Sequence, residues 1–235
     1  MDCVQSSAGS TPRWRNVAGA SRVGRPVMVP WLIAVNAAVF AMTVAQSGSL
    51  NANQSAPLFR WGALIPSLVA DGEWWRVVTS GFLHFGPLHL LFNMAAMWFI
   101  GREVESVLGR ARLQAVYAVS LLGGSAAVML FSPDVGAAGA SGAVFGLMGA
   151  LVILLRRLRL PMTQALTLIA LNIVLSLAIN GISLAAHLGG LIVGTATTAV
   201  LVYLPSRDGP TRQAAAVGGI VVLVLLGMVL GASLL

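Results

Sequence analysis

Residues 139–157 read GASGAVFGLMGALVILLRR. The run over 140–155 carries no charge and is closed by Arg156 and Arg157. Its length approaches the ~20 residues that cross ~30 Å of hydrocarbon. Lipid offers no partner for backbone N–H and C=O groups, and the run lacks the alternation of a barrel strand, so it must satisfy them internally as an α-helix. Gly142 and Gly146 form a small-xxx-small face along it, where a second helix can approach closely. Ser141 lies near its start.

Working outward, six more runs of similar character lie at about 27–46, 83–101, 113–131, 163–179, 183–204 and 214–235. The chain is 57% hydrophobic and only 9% charged over 235 residues, far from the usage of soluble domains. The expected fold is all-α, a polytopic membrane helix bundle. Its parts are a basic disordered cytoplasmic tail (1–26), a six-helix core (27–204), and a linker with a seventh transmembrane helix (205–235). The tail reading rests on Ser, Gly, Pro and Arg without periodicity.

All fourteen basic residues are arginine, against seven acidic ones, for a net charge of +7. In a soluble protein that balance suggests nucleic acid. Here the arginines sit in short clusters between apolar runs, so the partner they indicate is the bilayer, and no nucleic acid is expected. Arg13, Arg15, Arg22, Arg25, Arg102, Arg110, Arg112, Arg156, Arg157, Arg159, Arg207 and Arg212 fall on one side of a seven-helix topology; Arg60 and Arg76 fall on the other. The positive-inside rule then puts the N-terminus in the cytoplasm and the C-terminus outside. The arginine bias and the lack of a cleavable signal pattern point to a bacterial plasma membrane. Cys3 is the only cysteine, which excludes a disulfide framework and thiolate metal cages. The long outer loop, 47–82, carries Phe59, Trp61, Trp74, Trp75 and Phe82 beside Arg60 and Arg76. That composition suits a segment half sunk in the headgroup region.

Polar side chains at membrane depth are functional candidates. The three histidines, His84, His89 and His187, all fall in or at the outer ends of apolar runs. Counting up from Arg156 at 1.5 Å per residue puts Ser141 roughly 8 Å below the outer edge of the hydrocarbon, and the same count from Arg102 puts His89 about 10 Å below it. His187 lies a few residues inside the outer end of its run. Asn93 is one turn below His89 on the same face. An imidazole that takes its proton turns a serine hydroxyl into a useful nucleophile, and Ser141 with His187 could form that pair. Asn93, His89 and the Ser141 amide are the available oxyanion donors. No acidic residue lies in these runs apart from Glu103 and Glu105 at an inner end. The expected site is therefore a dyad whose histidine is oriented by packing or by a non-acidic partner. Gly190 and Gly194 give the His187 run its own small face, so contact with the Ser141 helix would bring serine and histidine to the same side.

Taken together the motifs resemble the rhomboid intramembrane serine proteases. Gly139-Ala140-Ser141-Gly142 with Gly146 is similar to that family's GxSGxxxG motif. Ala186-His187-Leu188-Gly189-Gly190 with Gly194 is similar to its histidine helix, and His89 with Asn93 to its HxxxN pair. Glu73-Trp74-Trp75-Arg76 resembles the tryptophan–arginine motif of the first loop, and Gly101 through Glu105 with Gly109 the inner end of the second helix. The resemblance covers about residues 27–204. It implies a serine endopeptidase acting within or next to transmembrane segments of single-pass substrates, with no cofactor and no metal. Ser141 would be the nucleophile, His187 the base and then acid, and His89, Asn93 and the Ser141 amide the oxyanion hole. Phe145 falls where the family often packs an aromatic ring on the histidine, and Gly139 completes the site packing. Residues 180–183 would cap the site. The alternative is a catalytically silent, client-binding membrane chaperone of the same fold. A proton-conducting transporter would spread ionisable residues through the membrane depth, and a zinc protease would need an acidic residue beside its histidines.

Overall fold

The computed structural model describes residues 26–179, 181–204 and 211–235. The tail over 1–25, Asn180 of the expected cap and the linker over 205–210 lie outside the described residues.

The described residues form helices α1 (Met28–Ser47), α2 (Pro57–Gly62), α3 (Pro66–Ala70), α4 (Arg76–Thr79), α5 (Gly86–Ala96), α6 (Arg102–Leu108), α7 (Arg110–Phe131), α8 (Ser141–Leu158), α9 (Thr163–Ala178), α10 (Leu184–Tyr203) and α11 (Thr211–Ser233). No strand occurs among them; one isolated antiparallel bridge joins Leu64 to Ala137. The chain is an all-helical polytopic membrane bundle. Five helices, α1, α7, α8, α10 and α11, are long and apolar enough to cross a membrane. A sixth crossing is counted when Arg76–Phe82 and Gly86–Leu108, bent by 92°, are taken as one span. The run over 163–179, expected as a further crossing, forms the 16-residue α9, about 24 Å at 1.5 Å per residue and shorter than the hydrocarbon.

The run expected over 83–101 also differs in detail. Its helix begins at Gly86, so His84 precedes it, and a π-helical turn over Met97–Gly101 separates α5 from α6. Gly109 ends α6 at φ 86°, and α7 starts at Arg110.

α7, α8 and α10 make the centre of the molecule, with α11 packed on α7 and α9 leaning on α8 and α10. The seam between α8 and α10 is built backbone to backbone. A Cβ on Gly190 would strike the Gly142 carbonyl, and one on Gly194 would strike the Gly146 backbone. Glycine at these positions is what lets the helices approach so closely.

Two charged groups fold the periphery. Glu105 is fully buried, and its carboxylate accepts the N–H groups of Val27, Met28 and Val29 at 2.8, 2.9 and 3.0 Å. These donors at the start of α1 have no partner within their own helix, and the anion also complements the helix dipole. Glu105 thus caps α1. Arg76 is 4% exposed rather than lying among headgroups. Its guanidinium binds the Glu73 carboxylate at 2.6 Å and donates to the Arg60 and Ala63 carbonyls at 2.8 Å each. The outer loop closes around this clamp, with Trp61 stacked on Trp75 and both rings exposed.

Candidate active site

Ser141 is the first residue of α8. Its backbone N–H belongs to the first turn, where N–H groups lack intrahelical acceptors and the helix dipole favours negative charge. Gly139, two residues earlier, has φ 134°, a conformation that other residues rarely adopt. A Cβ there would also lie 3.0 Å from His89 Nε2 and 3.7 Å from Ser141 Oγ. Gly139 therefore sits between the His89 ring and the Ser141 hydroxyl, and its lack of a side chain leaves that space open. The Gly139 N–H is held by the Ser80 carbonyl at 2.9 Å.

His187 lies in the first turn of α10, 7% exposed. The Phe145 ring, one turn below Ser141 on α8, stacks on the imidazole with centroids 4.1 Å apart and planes 15° apart. Gly142 and Ala186, the neighbours of Ser141 and His187, meet across the seam: a Cβ on Gly142 would lie 3.2 Å from the Ala186 carbonyl. The helix contact that Gly142, Gly146, Gly190 and Gly194 suggest thus sets Ser141 and His187 at the same level. No hydrogen bond joins Ser141 and His187. Catalytic hydrogen bonds often tighten only when substrate binds. The His187 Nδ1 is instead 2.7 Å from Ser176 Oγ on α9.

His89 is held differently. The Phe85 N–H donates to its Nδ1 at 3.2 Å, so the neutral ring carries its proton on Nε2, the nitrogen nearest Gly139. The Phe85 and His84 rings flank it, with centroids at 6.1 and 5.2 Å. Asn93 is 6% exposed and donates from Nδ2 to the His89 carbonyl at 2.9 Å, leaving a second N–H for another acceptor.

Two residues outside the expected set shape the site. Asn53 is buried in the outer loop and donates to the His84 carbonyl at 2.8 Å and to Thr43 Oγ1 at 3.0 Å, while its Oδ1 accepts the Gly86 N–H at 3.0 Å. It fixes the approach to α5 and so the start of the helix that carries His89. Ser176 is the other. Asn172 and Ser176 lie one turn apart in an apolar run, and a polar pair at membrane depth is a signal the sequence does carry.

Comparison with known proteins identifies the lineage. The Rhomboid domain model matches residues 71–204, more than half of the chain. The chain belongs to the rhomboid family. This rhomboid is 38% identical over 183 residues to Rhomboid protease GluP of Bacillus subtilis (strain 168), covering 76% of its own length and 35% of the relative's. It is 38% identical over 160 residues to RHOMBOID-like protein 5 of Arabidopsis thaliana, with coverages of 63% and 50%. It is 29% identical over 211 residues to Rhomboid protease AarA of Providencia stuartii, with coverages of 75% and 73%. The chain thus spans about a third of GluP and half of the Arabidopsis protein.

Proposed function

We propose that this rhomboid is a serine endopeptidase that cuts peptide bonds within or next to transmembrane segments of single-pass membrane proteins. The observation that carries the reading is the His187 ring, stacked on Phe145 and hydrogen-bonded at Nδ1, beside the helix start that presents Ser141. In this reading His187 Nε2 takes the Ser141 hydroxyl proton as Oγ bonds to the scissile carbonyl carbon. The carbonyl π electrons move onto oxygen, where the His89 Nε2–H, the free Asn93 N–H and the Ser141 amide stabilise them. The tetrahedral adduct collapses as His187 passes its proton to the leaving amine, and water repeats the sequence to release the acyl group. The relatives named rhomboid proteases support the same reaction.

The core over 27–204 would be the catalytic unit, and α11 an additional helix packed on α7. The arginine distribution supports a cytoplasmic N-terminus and an outward-facing site in a bacterial plasma membrane. The test is fluorophosphonate labelling and cleavage of a fluorogenic transmembrane peptide by the purified chain in detergent. Wild type is expected to label and cleave, and Ser141→Ala and His187→Ala to do neither while remaining folded. A wild-type chain inert in both assays would sink the protease reading and favour the client-binding chaperone.

A further inference from the structure

We infer that Ser176 is a positioning residue that fixes His187 in the tautomer a general base requires, with the proton on Nδ1 and the lone pair on Nε2. This deepens the protease reading and rests on it.

The argument is a count of protons. Ser176 Oγ lies 2.7 Å from the Asn172 carbonyl and 2.7 Å from His187 Nδ1. A carbonyl can only accept, so both short contacts are hydrogen bonds only when the single hydroxyl proton goes to Asn172. The second short contact is then a hydrogen bond only if the proton on it belongs to the imidazole. Were Nδ1 unprotonated, two acceptors would compete for one hydroxyl proton, and one buried contact would be left unmade. The bond that one ring nitrogen makes sets the state of the other, so Nε2 is left bare. In water the neutral imidazole prefers the opposite arrangement, so the protein must impose this one.

The placement of Ser176 agrees. Only three residues of α9 are buried, Ala165, Ile169 and Ser176. The first two are apolar and pack. Ser176 is already satisfied as a donor by the carbonyl one turn back, the usual arrangement of a serine in a helix. Its contact with His187 therefore serves the histidine. The bond also reaches across elements, from near the C-terminal end of α9 to the first turn of α10, at the ring edge that Phe145 stacking leaves open. His89 shows the complementary device, since the Phe85 N–H on its Nδ1 puts the proton on Nε2. One histidine is thereby set as a donor and the other as an acceptor. When His187 becomes imidazolium during attack, the Nδ1–H bond to Ser176 persists and holds the ring in place. This is the orienting part that a carboxylate plays in a triad, supplied by a neutral hydroxyl backed by a carbonyl.

The test uses the full chain in detergent with 15N-labelled histidine, whose three imidazoles are assigned with His84→Gln and His89→Gln. The nitrogen shifts of wild-type His187 are expected to show Nδ1 protonated and Nε2 bare; in Ser176→Ala the two tautomers should mix. Turnover of the transmembrane peptide should fall about tenfold in kcat, with KM within about twofold, the effect of losing one neutral hydrogen bond. Ser176→Thr keeps the hydroxyl and should restore the tautomer and most of kcat. A wild-type His187 protonated on Nε2 overturns the proposal without any variant, as does a Ser176→Ala protein with unchanged nitrogen shifts or unchanged kcat. If wild type neither labels nor cleaves, the protease reading falls by itself. The nitrogen spectra then still decide the Ser176 bond.

Discussion

α10 and α11 are both long apolar helices rich in glycine, yet the pair Gly190 and Gly194 and the pair Gly218 and Gly219 do opposite things, while Gly231 of α11 packs on the Met129 backbone of α7. On α10, Gly190 and Gly194 lie against the backbone of α8, where a single added carbon would strike the Gly142 and Gly146 main chain. On α11, Gly218 and Gly219 have nothing within 4 Å of where a Cβ would stand. The first pair sets the distance between two helices; the second belongs to a surface that meets lipid. Hydropathy cannot separate them, because both helices are apolar throughout. The difference arises from what lies opposite, and the candidate site stands on the side where the backbone has no freedom to retreat.

The sharpest way to break this contrast is at the seam's outer end. Ser141→Ala and His187→Ala should each lower peptide cleavage by at least about 10³-fold, measured as kcat/KM in detergent, with thermal unfolding unchanged within a few degrees. Gly190→Ala should follow, destabilising the protein by roughly 3 kcal/mol through overpacking and lowering the unfolding temperature followed by circular dichroism. A stable, fully active Gly190→Ala protein would mean that the seam is not tight. Phe145→Leu, which keeps apolar volume and removes the stack on His187, should lower kcat by about tenfold and stability by about 1 kcal/mol. Smallest of all, Gly218→Ala should change stability by no more than about 0.5 kcal/mol. Equal responses to Gly190→Ala and Gly218→Ala would erase the distinction between the two helices.

Much of the architecture is legible in the sequence alone, because membrane insertion leaves a local record. Each run of apolar residues near the required length became a helix, and Arg156 and Arg157 lie in the last turn of α8. The crossing count was less secure. α9 is shorter than the five long apolar helices, and the second run is bent at its start and carries a π-helical turn, since length alone says nothing of where a helix starts or turns. The contact between α8 and α10 was also visible, as paired glycines four residues apart. The partners of charged groups were not. Glu105 reaches the start of α1 across more than seventy residues, and Arg76 turns inward to two carbonyls of its own loop. Neither bond has a periodicity that a sequence could display.

What the sequence determined by itself was the class of molecule, its helices, and a set of candidate residues for chemistry at similar depth: Ser141, His89, Asn93 and His187. These follow from composition and helical rise, which are properties of neighbouring residues along the chain. Only the tertiary structure decided how the His187 ring and the backbone leading into α5 are held. Ser176 meets His187 from eleven residues away and Asn53 meets the His84 carbonyl from thirty-one. A hydrogen bond depends on position and direction to within a few tenths of an ångström, and only the packed chain supplies that.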